Sequence, residues 1–414
     1  MSKDSTIQPS TILIVDDNPK NIQTLGVFLQ TEGYQVEFAI NGESALDWIK
    51  RATFDLILLD IMMPGMDGYE VCRIIKSDPK NQKIPIIFLT GKVDTESIIS
   101  AFDLGAVDYI KKPFNQRELI ARVKTQIEIK ISREEIARNL RDIEHKNELI
   151  TGSIQYAQRI QNALLPTEAI FKAYIPDNFI LFLPKNIVSG DFYWTQQIED
   201  IIFVAAADCT GHGIPGALMS MLGISLLNEI VMTKRVLETD EILNQMRDKL
   251  IGRLNQGNSE GAGIKDGLDI ALISINLSQK LLTFSGANNP LIIVRKDTKS
   301  GETILIEHKA DKMPISLHLK MKPFNKTTCH IMAKDKIYLF SDGYSDQFGG
   351  EENKKFSLNS LRQLFKSLYE LPMIEQKQRL NEKFIEWKGN NKQLDDVVIV
   401  GLNMAESYGE VDFF

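Results

Sequence analysis

Leu56-Ile57-Leu58-Leu59-Asp60-Ile61-Met62-Met63-Pro64-Gly65-Met66-Asp67-Gly68 runs four apolar residues into an acid and then breaks at Pro and Gly. A run apolar throughout reads as a strand buried on both faces, as in a parallel sheet covered by helices. Outward from it, similar runs recur at Ile12 to Val15, Val36 to Ala39, Ile84 to Leu89 and Val107 to Ile110, alternating with helical patterns. Five such βα units predict a doubly wound α/β domain over residues 11–130. In that architecture ligands bind outside the carboxyl ends of the strands. Asp16 and Asp17 follow the first strand and Asp60 ends the third, so three acids converge on one edge. Crowded carboxylates repel one another, and Mg²⁺ with oxygen ligands is the natural counter-ion. Thr90 ends the fourth strand, and Lys112, before Pro113, brings an ammonium suited to a phosphoryl group beside the metal. Singly, each has a plainer meaning: Asp after a strand is commonly a helix N-cap, and Lys before Pro commonly marks a turn.

Together, Val15-Asp16-Asp17, Leu58 through Gly68, Thr90-Gly91 and Asp108 through Phe114 resemble the receiver domain of two-component response regulators, a flavodoxin-like fold. The resemblance implies Asp60 as phosphoacceptor, with Asp16, Asp17, Asp60 and the Met62 carbonyl around Mg²⁺. It also implies Thr90 and Lys112 as phosphoryl contacts, Tyr109 as the switch aromatic, and a histidine kinase or phosphotransfer protein as donor.

At 414 residues, with roughly 150 per domain, the chain is long enough for two domains and a connector. With 43% hydrophobic and 25% charged residues it has material for more than one core. Lys+Arg 48 minus Asp+Glu 55 gives −7, which argues against a nucleic-acid partner, since phosphate-backbone binding needs surplus cations. Cys72, Cys209 and Cys329 show no CxxC spacing, so a reducing cytoplasmic setting fits better than a disulfide framework or a thiolate zinc site. The N-terminal ten residues are a polar tail, and apolar runs fall short of the ~18 residues of a spanning helix, so membrane insertion is not expected.

From about Arg117 to Leu165 there is no Pro, Gly152 is the only Gly, and charge is dense, which reads as one long helix or two joined. Its middle carries a heptad, in steps of four and three: Ile136, Leu140, Ile143, Asn147, Ile150, Ile154 and Ala157. Asn147 falls at an a position, where a buried Asn fixes register in a parallel pair. A coiled-coil linker over 131–165 and a parallel homodimer with Asn147 at the seam follow as expectations; an amphipathic helix packed on its own chain is the plainer alternative. The earlier apolar positions Ile120, Val123, Ile127 and Ile131 reach Ile136 by a five-residue step, where the seam would rotate.

After Pro166 strand-like runs appear at Ile180 to Leu183, Ile201 to Ala207, Ile270 to Ile275, Leu291 to Val294, Ile337 to Phe340 and Val397 to Val400. Helical patterns interrupt them from Pro215 to about Met232 and from Asp240 to about Leu254, which predicts an α+β domain over 166–405, with 406–414 as a tail. Acids mark strand ends and Gly turns: Ser189-Gly190-Asp191, Ala207-Asp208-Cys209, Ser341-Asp342-Gly343 and Leu394-Asp395-Asp396. Such acids are costly to desolvate unless paired or metal-bound, and few Lys or Arg stand beside them. All-oxygen ligation selects Mg²⁺ or Mn²⁺, and two such ions can share a carboxylate and activate one water for attack on phosphorus. Taken alone, Asp191 or Asp342 would more simply cap a turn.

Four such turns in order resemble the metal-dependent PP2C phosphatase superfamily, an αββα sandwich, in its bacterial SpoIIE-type branch. Ile154 through Pro166, Phe284 through Pro290 and Ser341 through Phe348 strengthen the resemblance. It implies two Mn²⁺ or Mg²⁺ ions, with Asp208 bridging, Asp191 and the Cys209 carbonyl serving one ion, and Asp342 with Asp395 or Asp396 serving the other. There are departures. The His found two residues after the bridging Asp in eukaryotic members is Thr210 here, and His212, four residues on, does not inherit its role. Asn288 replaces the His of a Gly-His-Asn-Pro turn, and Val398 replaces a Thr. The expectation is a response-regulator serine/threonine phosphatase acting on a phosphoprotein such as an anti-sigma-factor antagonist. A phosphorylation-controlled adaptor with a non-catalytic phosphatase fold is the rival from another class. A diguanylate cyclase is disfavoured because Ser189-Gly190-Asp191 lacks the acidic continuation of that turn.

Overall fold

The structure, a computed structural model, describes residues 9–91, 95–254, 266–297 and 300–404. The expected tails lie outside these residues apart from Pro9 and Ser10. The chain divides into two compact units within one helix, after Asn147.

In the first unit, β1 (Thr11–Val15), β2 (Gln35–Ala39), β3 (Leu56–Asp60), β4 (Ile86–Thr90) and β5 (Asp108–Lys111) form a parallel sheet in the order β2-β1-β3-β4-β5. Helices α1 (Pro19–Thr31), α2 (Gly42–Arg51), α3 (Gly68–Ser77) and α4 (Thr95–Asp103) alternate with the strands. The runs lack polar alternates because both faces are packed: Leu13, Val15, Ile57 and Leu59 line one core, and Ile12, Ile14, Leu56 and Leu58 the other. Edge strand β2 is the exception, and its Phe38 is exposed. Helix starts are locally encoded. Asn18 caps α1 ahead of Pro19, and Asn41 with Ser44 forms a capping box on α2. At the head of α3 a β-carbon on Gly68 would collide with the Asp60 carbonyl, so only glycine lets that helix start against β3.

Helix α5 (Gln116–Leu164) is one element of 49 residues. Its first turns belong to the first unit: Leu119, Val123 and Ile127 are buried in the second core, with Ile120 beside them. Ile131, expected on the same face, is exposed. The buried apolar face therefore runs through Leu119 and stops after Ile127, and Lys130 beyond it is half-buried and pairs with Asp55. Residues 131–153 are exposed throughout, including Ile136, Leu140, Ile143, Asn147 and Ile150. Burial returns in the last turns, at Gln161 and Leu165.

The second unit opens with α6 (Glu168–Tyr174), β6 (Asn178–Leu183), β7 (Phe192–Ile198), β8 (Ile201–Cys209) and α7 (Ile214–Leu227), which a π-helical segment extends over Asn228–Thr233. Then follow α8 (Thr239–Leu254), β9 (Leu268–Asn276), β10 (Leu281–Ala287), β11 (Leu291–Lys296), β12 (Thr303–His308), β13 (Thr327–His330), β14 (Lys336–Phe340) and α9 (Gly343–Asp346). A short ribbon of β15 (Phe348–Gly349) and β16 (Lys354–Lys355) precedes α10 (Leu358–Ser367), α11 (Met373–Lys388) and β17 (Val397–Asn403). Two antiparallel sheets result, ordered β13-β10-β9-β8-β7 and β12-β11-β14-β17-β6.

Successive side chains of a strand face opposite ways, and β8 shows why its run is apolar throughout. Ile202, Val204 and Ala206 meet Ile293, Leu339 and Val400 between the sheets. Phe203, Ala205 and Ala207 meet Leu226, Ile230 and Met246 of the helical layer. On the far side Tyr338, Phe340 and Ile399 meet Phe365, Leu380 and Phe384. These three cores make the expected αββα sandwich. The stretch Ile214–Thr233 is long and apolar enough to cross a membrane by length and composition, although runs of that length were not expected. Interruptions at Gly223, Ser225, Asn228 and Glu229 hide it from a count of consecutive apolar residues. Here it is a core-facing layer, and Glu229 pairs with Lys249 at 2.5 Å and Arg253 at 2.7 Å.

Candidate functional site

The parallel sheet brings Asp16, Asp17 and Asp60 together at its carboxyl edge, with carboxylate oxygens within 4.8 Å of one another. Asp16 and Asp60 are buried and Asp17 is exposed. Lys112 Nζ donates to Asp16 Oδ2 at 2.8 Å and to Asp60 Oδ2 at 2.7 Å. Asp16 also accepts from the Asn18 N–H and from Asn21 Nδ2, so α1 orients it. The Met62 N–H makes a long 3.4 Å bond to Asp60, and the Met62 side chain is exposed. Burial pushes the Asp60 carboxyl up and Asp16 adds to this, while Lys112 and the Met62 N–H pull against it; the net direction is up. Burial disfavours the Lys112 charge, but its bonds to Asp16 and Asp60 outweigh that and raise its pKa.

Thr90 is buried at the end of β4, and its carbonyl accepts from the Lys112 N–H at 2.8 Å. Tyr109 is half-buried, with the Arg122 guanidinium 5.8 Å from its ring centre and that guanidinium paired to Asp108. The carboxylates of Asp16, Asp17 and Asp60 make an all-oxygen donor set that fits a hard divalent cation, with the Lys112 ammonium beside them. Asn147 lies on the exposed stretch of α5, among the residues of neither acidic cluster.

In the second unit the acids gather where β8, β14 and the entries to β7 and β17 meet. Asp208, next to last in β8, is half-buried, and the charges of Asp191, Asp342, Asp395 and Asp269 act on it. Ser341 Oγ donates to Asp191 at 2.6 Å and accepts from the Val398 N–H at 3.0 Å, tying β14 and β17 to the Asp191 loop. A β-carbon on Gly343 would collide with the Asp396 carbonyl, so that glycine lets the Asp342 turn close on the Asp396 backbone.

The neighbours Asp395 and Asp396 separate cleanly. Both Asp396 oxygens are used, accepting from the Lys185 N–H and the Gly190 N–H at 2.7 Å each, and the residue is buried. Asp395 accepts from the Asp396 N–H, and its charge acts on Asp208 and Asp342. Cys209 is buried, which pushes its thiol up well beyond the ordinary range and makes it a poor nucleophile. Its carbonyl lies beside Gly190, since a β-carbon there would sit 3.3 Å from it. Thr210 is spent on structure, exchanging hydrogen bonds with Gly267. His212 is exposed in the turn between Gly211 and Gly213.

Sequence reasoning missed Asp269. It pairs in register with Asp208 across β8 and β9, and it accepts from Asn288 Nδ2 at 2.8 Å. Burial lifts its carboxyl to about 6, with Asp342 adding to the rise. The available signal was an acid at the head of an apolar strand, Leu268-Asp269-Ile270, the mirror image of the strand-end acids. Burial, then Asp191, Asp342, Asp395 and Asp269, pushes the Asp208 carboxyl up to about 10. Burial also raises Asp191, and Asp342, exposed as a residue, is raised by partial desolvation of its carboxyl and by the charges of Asp346 and Asp395. Among the described residues no Lys or Arg forms an ion pair with Asp191, Asp208, Asp342 or Asp395. Oxygen donors without a protein cation are the chemistry of a divalent-metal site.

Comparison with known proteins adds the family. Residues 12–124 match the model described as response regulator receiver domain, and residues 199–404 match that of stage II sporulation protein E (SpoIIE). Asp191 precedes the second span. The chain is 40% identical over 116 residues to the DNA-binding response regulator MtrA of Mycolicibacterium smegmatis, covering 28% of this chain and 50% of that protein. It is 30% identical over 260 residues to a probable cyclic di-GMP phosphodiesterase of Vibrio cholerae, covering 59% and 55%. The chain thus spans about half the length of the curated relatives it matches. Among solved structures, the SiaA-PP2C domain of Pseudomonas aeruginosa is similar with a TM-score of 0.55 and 26% identity, covering 63% of this chain and 98% of that one.

Proposed function

For a chain that joins a response regulator receiver domain to a SpoIIE-family, PP2C-type phosphatase domain, we propose receiver-controlled, metal-dependent dephosphorylation of phosphoserine or phosphothreonine on a protein. The observation that carries this reading is Asp208, half-buried beside buried Asp191 and exposed Asp342, none of which forms an ion pair with a Lys or Arg among the described residues. Asp208 would bridge two Mn²⁺ or Mg²⁺ ions, with Asp191 and the Cys209 carbonyl on one side and Asp342 with Asp395 on the other. Bound, such ions supply the charge that polarises the phosphoryl group and an attacking water. Asp396 is assigned a positioning role because both its oxygens hold backbone amides. Ser341 keeps Asp191 aimed.

In the receiver, residues 11–130, Asp60 takes the phosphoryl group from a histidine kinase or phosphotransfer protein. Asp16, Asp17 and the Met62 carbonyl would hold Mg²⁺ beside it, which would neutralise the charge of the phosphoryl group. Lys112, now on two carboxylates, turns to the phosphoryl oxygens with Thr90, and Tyr109 follows that change. Residues 131–165 form a coiled-coil linker in a parallel homodimer. Four of its large apolar heptad residues, Ile136, Leu140, Ile143 and Ile150, are 54–59% exposed in the single chain. Covering each would contribute up to about 2 kcal/mol. Residues 166–405 are the phosphatase. The substrate class that suits a SpoIIE-type domain is a phosphorylated anti-sigma-factor antagonist, and the negative charge and free cysteines suit a cytoplasmic setting.

Hydrolysis of an artificial phosphomonoester tests the catalytic assignment. Turnover should require Mn²⁺ or Mg²⁺ and should collapse in Asp208→Asn, because an amide lacks the charge that holds two cations together. A wild-type protein inert with either metal would favour the adaptor instead.

A further inference from the structure

Gln161 lies in the last turn of α5 and is 2% exposed. A buried glutamine has two N–H donors and a carbonyl to satisfy, and all are used here. Its Oε1 accepts from the Ser189 N–H at 3.1 Å, and its Nε2 donates to the Ser189 carbonyl at 2.6 Å and to Ser220 Oγ at 2.8 Å. Both main-chain groups of Ser189 are therefore held by one side chain.

Ser189 stands two residues before Asp191, and between them the Gly190 N–H donates to Asp396. Ser220 belongs to α7, whose start packs backbone to backbone on the same loop: a β-carbon on Gly216 would fall 2.9 Å from Gly190 Cα and would collide with the Gly211 carbonyl. Gly211 follows Asp208 by three residues. Three pieces thus meet at one amide: the end of α5, the loop leading to Asp191, and α7. A hydrocarbon side chain would fill the space, as neighbouring Leu165 does in the adjacent core. The hydrogen bonds instead fix the phase of α5, since turning it by one residue, about 100°, would withdraw the amide from Ser189.

We infer that Gln161 is a positioning residue for the metal-binding carboxylates: through Ser189 and Ser220, the end of α5 sets the Asp191 loop against α7. This rests on the metal-phosphatase reading above. The test is calorimetric titration of the full chain with Mn²⁺, with Asp208→Asn as the blank that retains the receiver cluster. Gln161→Met should weaken Mn²⁺ binding at the second site by roughly tenfold, the lower end for lost outer-shell support. Ser220→Ala, which keeps the Ser189 bonds, should fall between Gln161→Met and wild type. Turnover of Gln161→Met should recover towards wild type at saturating Mn²⁺, a split that general damage to the fold would not produce. Wild-type affinity in Gln161→Met would overturn the inference alone, and so would wild-type affinity in Ser220→Ala should Gln161→Met not fold. No difference between wild type and the Asp208→Asn blank would remove the metal reading and this inference with it.

Discussion

Asp208 follows the apolar run of β8 and lies among four other acids, and its carboxyl is pushed up to about 10. The unfolded carboxyl titrates near 4, so between those values the folded state holds a proton that the unfolded state has released. Stability then falls as pH rises, the reverse of a salt-bridged carboxylate. Without metal, the second unit should lose melting temperature between about pH 5 and pH 8, and Mn²⁺ should restore more of it at the higher pH. Thermal melts with chelator and with Mn²⁺ across that range check this; a metal-free melting point that rises with pH in the second unit would contradict it. At this scale the sequence was most informative where an acid closes an apolar run, as at Asp60 and Asp208. Asp269 escaped because it opens its strand, and its approach to Asp208 depends on a register between β8 and β9 that no local pattern encodes. The choice between Asp395 and Asp396 depended on the amides of Lys185 and Gly190, more than two hundred residues away in sequence.

Helix α5 joins two kinds of environment in one element. Leu119, Val123 and Ile127 pack on a sheet, the stretch 131–153 is exposed, and Gln161 is buried again. The absence of Pro and the scarcity of Gly made the helix legible, and so was the heptad. The phase of its packed start was not, because Ile120 and Leu119 are equally apolar and only contact with the sheet separates them. Elsewhere β8 and β14 could be read from their unbroken apolar runs, whereas β7, β10, β12 and β13 mix polar residues into less regular patterns. If the exposed heptad pairs two copies in parallel, Asn147→Leu should tighten association while loosening register, since a buried Asn trades stability for specificity. Mass in solution, with turnover before and after phosphorylation, checks it. A tighter dimer whose rate no longer follows the receiver is expected, and a wild-type monomer in both states would refute the paired helix.

For the whole molecule, the two acidic clusters differ in one respect that bears on their chemistry. The receiver cluster carries its own cation, Lys112, whereas among the described residues no Lys or Arg pairs with Asp191, Asp208, Asp342 or Asp395 in the second. The first suits transient capture of a phosphoryl group on Asp60, and the second suits resident divalent ions and repeated hydrolysis. Central to this account is that one chain does both, the first state governing the second rate. The most direct measurement is steady-state turnover of a phosphomonoester by the full chain with Mn²⁺, with and without a small-molecule phosphodonor, for wild type, Asp60→Asn and Asp208→Asn. The account predicts metal-dependent turnover that the phosphodonor changes in wild type, that persists without responding in Asp60→Asn, and that is lost in Asp208→Asn. Turnover that survives chelation or Asp208→Asn, or a rate that responds equally in Asp60→Asn, would contradict it.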